Sequence, residues 1–201
     1  MSLAKSENLT YLSCFEDENL IAGHGCIGLD IIEEKPDTDV IFCPIGGGAF
    51  IAGVAIAVKH AKPKVKIIGI EPEGANAMYL SLKKDKLVGI EKANTIADGL
   101  AVERPGVRPF EIARKYVDEV VVVSDEEIKK AMILLLERAK LLVEPAGAAS
   151  LAAIISGKTN FKGKEIVAIL SGGNIGLDKL NHILKEEINW VKKLMLIDLC
   201  K

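Results

Sequence analysis

The sequence predicts an α/β domain with a mostly parallel sheet flanked by helices, and two observations carry that prediction. Short β-branched runs alternate with longer segments in which apolar residues recur at helical spacing. Two of the runs also end in glycine clusters, where strand-to-helix turns belong. The chain has 201 residues, 49% hydrophobic, enough for a self-sufficient core and too apolar for disorder.

The predicted strands are Asp39–Pro44, Val65–Glu71, Glu119–Val123 and Glu165–Leu170. Each reads as apolar on both faces, which suits buried parallel strands. Helices are expected at Gly25–Glu34, Phe50–His60, Asn76–Lys83, Ser124–Lys140, Pro145–Ser156 and Leu177–Glu187. Ser124-Asp125-Glu126-Glu127 is a capping-box sequence, in which hydroxyl and carboxylate each satisfy an orphan amide. The long interval before Glu119 carries Ala97-Asp98-Gly99-Leu100 and Arg104-Pro105-Gly106, which read as loop. Residues 1–20 lack a clear element, and the tail from Asn189 to Lys201 carries Trp190 and several aliphatics with no obvious partner. Four strands make a small sheet for this much apolar surface, so the expectation is part of a larger fold.

With 26 basic residues against 28 acidic ones, the charge balance argues against a nucleic-acid partner; the short lysine stretches read as a solvated face. No apolar run approaches a membrane span, and the opening residues do not resemble a signal peptide. Cys14, Cys26, Cys43 and Cys200 show no CxxC spacing and read as reduced core thiols of a cytoplasmic protein. His24, His60 and His182 stand apart in sequence and none belongs to a metal-ligand motif, so no structural zinc is expected.

Three glycine clusters invite a phosphate reading. Gly23-His24-Gly25-Cys26-Ile27-Gly28 matches GxGxxG, but the next strand ends Phe42-Cys43-Pro44 without a ribose-binding acid. Close packing at the start of a helix is the reading preferred for these glycines. Pro44-Ile45-Gly46-Gly47-Gly48-Ala49-Phe50 has the right context: a hydrophobic strand runs through consecutive glycines into an apolar helix, so free amides and the positive helix end converge. A ligand-free tight turn is the alternative there. A dinucleotide also remains open, because Glu71 closes the next strand where a ribose-binding acid would sit, although Ile51 replaces the third fingerprint glycine. The Gly-Lys-Thr at Gly157–Thr159 has Ala152 where a nucleotide loop needs glycine and follows a helix. The third cluster, Ser171-Gly172-Gly173-Asn174, sets a hydroxyl at the same edge of the sheet, either as a ligand contact or as a cap for the next helix.

Taken as an ordered set, Ala22–Gly28, Pro44–Phe50, Gly69-Ile70-Glu71-Pro72, Ala97–Leu100, Glu144-Pro145-Ala146-Gly147-Ala148 and Ser171–Asn174 resemble the second half of the threonine dehydratases. Those are fold-type II pyridoxal-phosphate enzymes, with the tryptophan-synthase β-like fold. The resemblance implies that Gly46, Gly47, Gly48 and Ala49 cradle the cofactor phosphate, with Ala49 departing from the usual fourth glycine. It implies that Ser171 hydrogen-bonds the pyridine nitrogen, Gly99 lines the ring and Glu144 is a carboxylate near the active site. His24 and Cys26 replace residues that are often Gln and Thr. Related serine racemases bind a divalent cation through positions matching Glu71 and Ala75, but Ala77 stands at the third, so no metal is assigned. The implied reaction converts threonine to 2-oxobutanoate and ammonia, or serine to pyruvate.

The Ser-x-Lys-x-Arg-Gly motif, which carries the family's Schiff-base lysine, does not occur in the 201 residues. No catalytic residue is therefore assigned. The expectation is a C-terminal portion: residues 1–34 from the smaller domain and crossover, 35–187 from the large cofactor-binding domain, and 188–201 a tail of uncertain structure. It would associate with itself or with the missing N-terminal half. The alternative is a catalytically inactive module or partner subunit that binds pyridoxal phosphate or another phosphate.

Overall fold

The computed structural model describes residues 2–186. A four-stranded parallel sheet runs in the order β3-β2-β1-β4, from β1 (Val40–Pro44), β2 (Lys66–Pro72), β3 (Glu119–Val123) and β4 (Ile166–Ala168). Phe42 pairs with Ile68 on one side and with Ala168 on the other. Alternate side chains of β1 serve opposite faces. Val40 and Phe42 join Ile68 and Ile70 beneath α6 (Asp125–Leu134) and α7 (Pro145–Ile155). Ile41 and Cys43 join Ile67 with α3 (Ala49–Ala61) and α5 (Val107–Tyr116).

All of β1 is buried, and β2 is buried after its first residue. The expectation of two buried faces does not hold for β3 and β4, which are partly exposed. They are the sheet edges, where neighbouring strand and helix cover run out.

Three helical boundaries correct the sequence reading. A short α1 (Ser2–Ser6) and the first turns of α2 (Glu18–Glu34) occupy a region expected to lack elements. The Asp17 carboxylate accepts the amides of Asn19 and Leu20 at 2.9 and 3.1 Å and starts α2 there, not at Gly25. The GxGxxG cluster thus lies inside a helix, where Gly25 and Gly28 allow α2 to approach α3. A Cβ at Gly28 would stand 2.9 Å from the Val54 carbonyl oxygen.

The segment after Arg104-Pro105-Gly106 is α5, whose Phe110 and Ala113 are buried. The Ser124 helix has its capping box, with bonds of 2.7 and 3.2 Å, but α6 ends at Leu134. One wider π turn follows, and Lys140 then closes it in the left-handed region at φ 60°. α4 spans Ala77–Lys83, and the chain is helical again over 177–186, termed α8.

Among the described cysteines only Cys43 is a core thiol. Cys14 and Cys26 are exposed, Cys14 in the irregular stretch before α2 and Cys26 on that helix's open side; all three are free. Cys200 and the Asn189–Lys201 tail lie outside the described residues. Among the described residues no helix is long and apolar enough to cross a membrane.

Candidate cofactor site

From β1 the chain passes through α3 to β2 and on to β3, then returns to lay β4 on the other side of β1. The strand order therefore reverses between β1 and β4. In open α/β sheets that reversal leaves a crevice at the carboxyl ends of the strands. The Gly46 loop leaves the end of β1 and Ser171 follows the end of β4, so the two glycine-rich turns flank that crevice.

The β1 ladder closes with the Ile45 amide on the Ile70 carbonyl at 2.8 Å. Gly48 then takes φ +97°, a left-handed conformation that turns the strand directly into α3. The first bond of α3 runs from the Ala52 amide to Gly48 O at 3.0 Å, and no side chain caps the helix. Among the described residues no acceptor faces the amides of residues 46–51. A row of unaccepted donors at the positive end of a helix fits a phosphate ester.

The opposite wall comes from the 3-10 turn Asp98–Leu100 and the start of α7. A Cβ at Gly46 would stand 2.8 Å from the Gly99 carbonyl oxygen, and one at Gly99 would stand 3.1 Å from the Ala146 methyl. Backbone thus meets backbone across the base of the crevice. Glu144 precedes Pro145, whose fixed φ suits the first position of α7. The Glu144 amide donates to Gly172 O at 3.0 Å, and its carboxylate lies against Gly172 where a side chain would collide with it. Gly172 also packs on Gly147, so the turn after Ser171 is bound to the first turn of α7.

The sequence-selected positions are therefore linked in one constellation. Gly46, Gly47, Gly48 and Ala49 share a loop; Gly99 touches it; Glu144 and Ser171 flank Gly172. Ser171 is exposed, without a hydrogen-bond partner among the described residues. It does not cap the following helix, because α8 starts at 177.

Several neighbours left no trace in the sequence. The Phe15 ring lies over Gly47. Glu16 accepts the amides of Val107 and Arg108 at 2.6 and 3.3 Å, and the Gly106 amide donates to Gly47 O at 3.0 Å. Asp125 and Lys179 fasten the segment that leads to Gly99. These contacts join distant parts of the chain, and none belongs to a local pattern. His24, buried enough to lower its pKa, sets its ring edge-on to Phe50 with centroids 5.2 Å apart.

Glu71, open in sequence to a ribose or cation role, is engaged elsewhere. It is 1% exposed, and its two oxygens accept the amides of Met78 and Tyr79 at 3.0 and 2.7 Å, capping α4. Burial pushes its carboxyl up to about 8, against the pull of those two amides. Lys158 of the Gly-Lys-Thr triplet pairs with Glu127 at 2.8 Å. Among the described residues, no three of His, Cys, Asp and Glu come together as a metal site.

Comparison with known proteins agrees with this architecture. Residues 1–172 match the family described as pyridoxal-phosphate dependent enzyme. The chain is 40% identical over 186 residues to an L-threonine ammonia-lyase of Thermotoga maritima, covering 92% of this chain and 46% of that protein. It is 39% identical over 183 residues to the catabolic L-threonine dehydratase of Escherichia coli strain K12, covering 90% and 56%. A threonine deaminase isoform from Solanum lycopersicum superimposes with a TM-score of 0.86 at 34% identity, over 92% of this chain and 54% of that one. Maize serine racemase gives 0.85 at 32%, over 95% and 59%. The chain spans about half the length of the relatives it matches. It belongs to the fold-type II pyridoxal-phosphate dependent enzymes, among relatives of the threonine dehydratases.

Proposed function

We propose that this chain is the C-terminal portion of a threonine/serine dehydratase, which as a complete polypeptide deaminates L-threonine to 2-oxobutanoate and ammonia by β-elimination. The observation that carries the reading is the row of unaccepted amides at 46–51, set at the switch point of the sheet. The relatives named threonine ammonia-lyase and threonine dehydratase, at about 40% identity, support the substrate.

In this reading Gly46, Gly47, Gly48 and Ala49 hold the cofactor phosphate through their amides, and Gly99 lines the ring. Bound there, pyridoxal phosphate supplies an electron sink for the carbanion left when the α-proton departs. The Ser171 hydroxyl would be the partner of the ring nitrogen. A carboxylate at that position would keep a proton on the nitrogen, whereas a hydroxyl would leave it near neutral. Glu144, held beside Gly172, borders the reacting end. The chain supplies no motif lysine, so the covalent anchor and the base come from outside these 201 residues. Residues 1–34 fall to the smaller domain and crossover, and 35–187 to the large domain. Exposed Leu9, Tyr11, Leu12 and Leu29 are surface for association with the rest of the enzyme. A cytoplasmic location suits the three free cysteines.

The missing lysine motif also supports a second reading, an inactive phosphate-binding module or partner subunit. One assay separates the two. The chain is incubated with threonine alone, then with a polypeptide carrying the Ser-x-Lys-x-Arg-Gly segment of a relative. The dehydratase reading expects no 2-oxobutanoate alone and steady production in the mixture. It expects Ser171→Ala to lower activity about ten-fold or more while changing cofactor affinity less. Phosphate binding without activity in any mixture would favour the inactive module. Turnover by the chain alone would overturn the missing-lysine argument.

A further inference from the structure

The segment that delivers Gly99 to the crevice is fastened by two side chains from elements remote in sequence. Asp125, at the start of α6, accepts the Thr95 hydroxyl at 2.5 Å and the Ile96 amide at 3.0 Å. The Thr95 hydroxyl oxygen in turn accepts the Ala97 amide at 3.1 Å. From α8, the Lys179 ammonium donates to the Ile96 carbonyl at 2.7 Å and to the Asp98 carboxylate. Ala97 between these anchors is fully buried, while Asp98 and Gly99 are exposed. α8 follows the Ser171 turn directly. The lysine therefore ties the Gly99 wall of the crevice to the element that continues from the Ser171 wall.

We infer that Lys179 is a positioning residue that fixes the slot for the cofactor ring, by anchoring Ile96 and Asp98 on either side of Ala97 and so setting Gly99 opposite Ser171. The inference rests on the proposed function and adds to it a residue that touches neither phosphate nor ring. Gly99 meets Gly46 through its carbonyl and Ala146 through its α-carbon, so movement of this turn changes the slot on two sides at once. The phosphate cradle at 46–51 is carried by the end of β1 and the start of α3 and meets the Gly99 turn at Gly46. The Ile96 bond is the principal anchor, because it is charge-assisted and part-buried, whereas Asp98 is largely exposed.

Two probes separate ring from phosphate. 4′-Deoxypyridoxine 5′-phosphate carries ring and phosphate but no aldehyde, so it needs no lysine anchor; inorganic phosphate carries the anion alone. Both are titrated into the full chain, with the amides of 46–51 and 96–100 followed by NMR. Lys179→Met is expected to weaken the ring-bearing probe about ten-fold, with inorganic phosphate unchanged, and to speed hydrogen exchange at Ala97 and Leu100. Asp98→Ala, which leaves the Ile96 bond, should fall between wild type and Lys179→Met. Lys179→Arg should recover most of the loss. Lys179 and Asp98 are part-exposed and exposed, and matched unfolding midpoints establish that the variants fold.

Equal affinity of wild type and Lys179→Met for the ring probe would overturn the inference while leaving the phosphate assignment intact. Equal weakening for both probes would overturn it too, since Lys179 would then act on the fold at large. Failure of the wild type to bind inorganic phosphate would remove the proposed function itself, and the inference with it.

Discussion

Phe15 occupies the space that a side chain at Gly47 would need: a Cβ built there would lie 2.5 Å from the ring. The strand-to-helix loop and the stretch before α2 are thus shaped to each other. Glu16 and Gly106 hold that stretch, the α5 N-terminus and Gly47 in one unit.

Gly47→Ala should therefore cost about 1–3 kcal/mol through overpacking. Phe15→Ala should have its own cost, and the double variant should be less destabilised than the sum of the two. Urea unfolding of the four proteins measures the coupling. Strict additivity would mean that the ring moves aside freely and that glycine at 47 is required only for approach to an anion.

Glu71 gives a pH signature. The folded protein keeps a proton on this carboxyl up to about pH 8, while the unfolded chain releases it near 4.5. An acid raised in this way contributes stability that is complete below about pH 4.5 and lost as pH rises through about 8. Glu71→Gln should remove that part of the slope. It should also lower stability at pH 5 by about 1–3 kcal/mol, because the amide presents only one acceptor to the N–H groups of Met78 and Tyr79. Unfolding free energies from pH 4.5 to 8 test both effects; an unchanged slope would place the titration elsewhere.

Ser150 is fully buried in α7, and its hydroxyl has no hydrogen-bond partner among the described residues. Ser150→Ala deletes a desolvated polar group and improves helix propensity, so stability should hold or rise by up to about 1 kcal/mol. A midpoint that drops by more than the equivalent of 1 kcal/mol would show that the hydroxyl makes a bond in solution.

Much of this architecture was legible because its signals are local. Glu119–Val123 was bounded as β3 by its own run of valines, and Ser124 with Glu127 announced the start of α6. The glycine loop at 46–48 was readable because strand, glycines and apolar helix follow one another without interruption. α5 is hidden because Arg104-Pro105-Gly106 reads as a break, although Gly106 stands at its N-cap and Pro109 in its first turn suits a helix start. The early start of α2 depends on Asp17, a single carboxylate. The partial exposure of β3 and β4 follows from strand order, which periodicity does not encode. Phe15, Glu16, Asp125 and Lys179 reach the candidate site only through tertiary contacts, so no window of sequence could reveal them.

Whether the amides of residues 46–51 form an anion site is read by titrating inorganic phosphate into the isotopically labelled chain. Saturable amide shifts at millimolar phosphate are expected, concentrated on residues 46–51 and sharply weakened in Gly48→Ala, where an added methyl would be strained at φ +97° and crowd Met78 and Pro109. Shifts spread over the surface lysines with residues 46–51 unmoved, or no saturable shift at all, would contradict it.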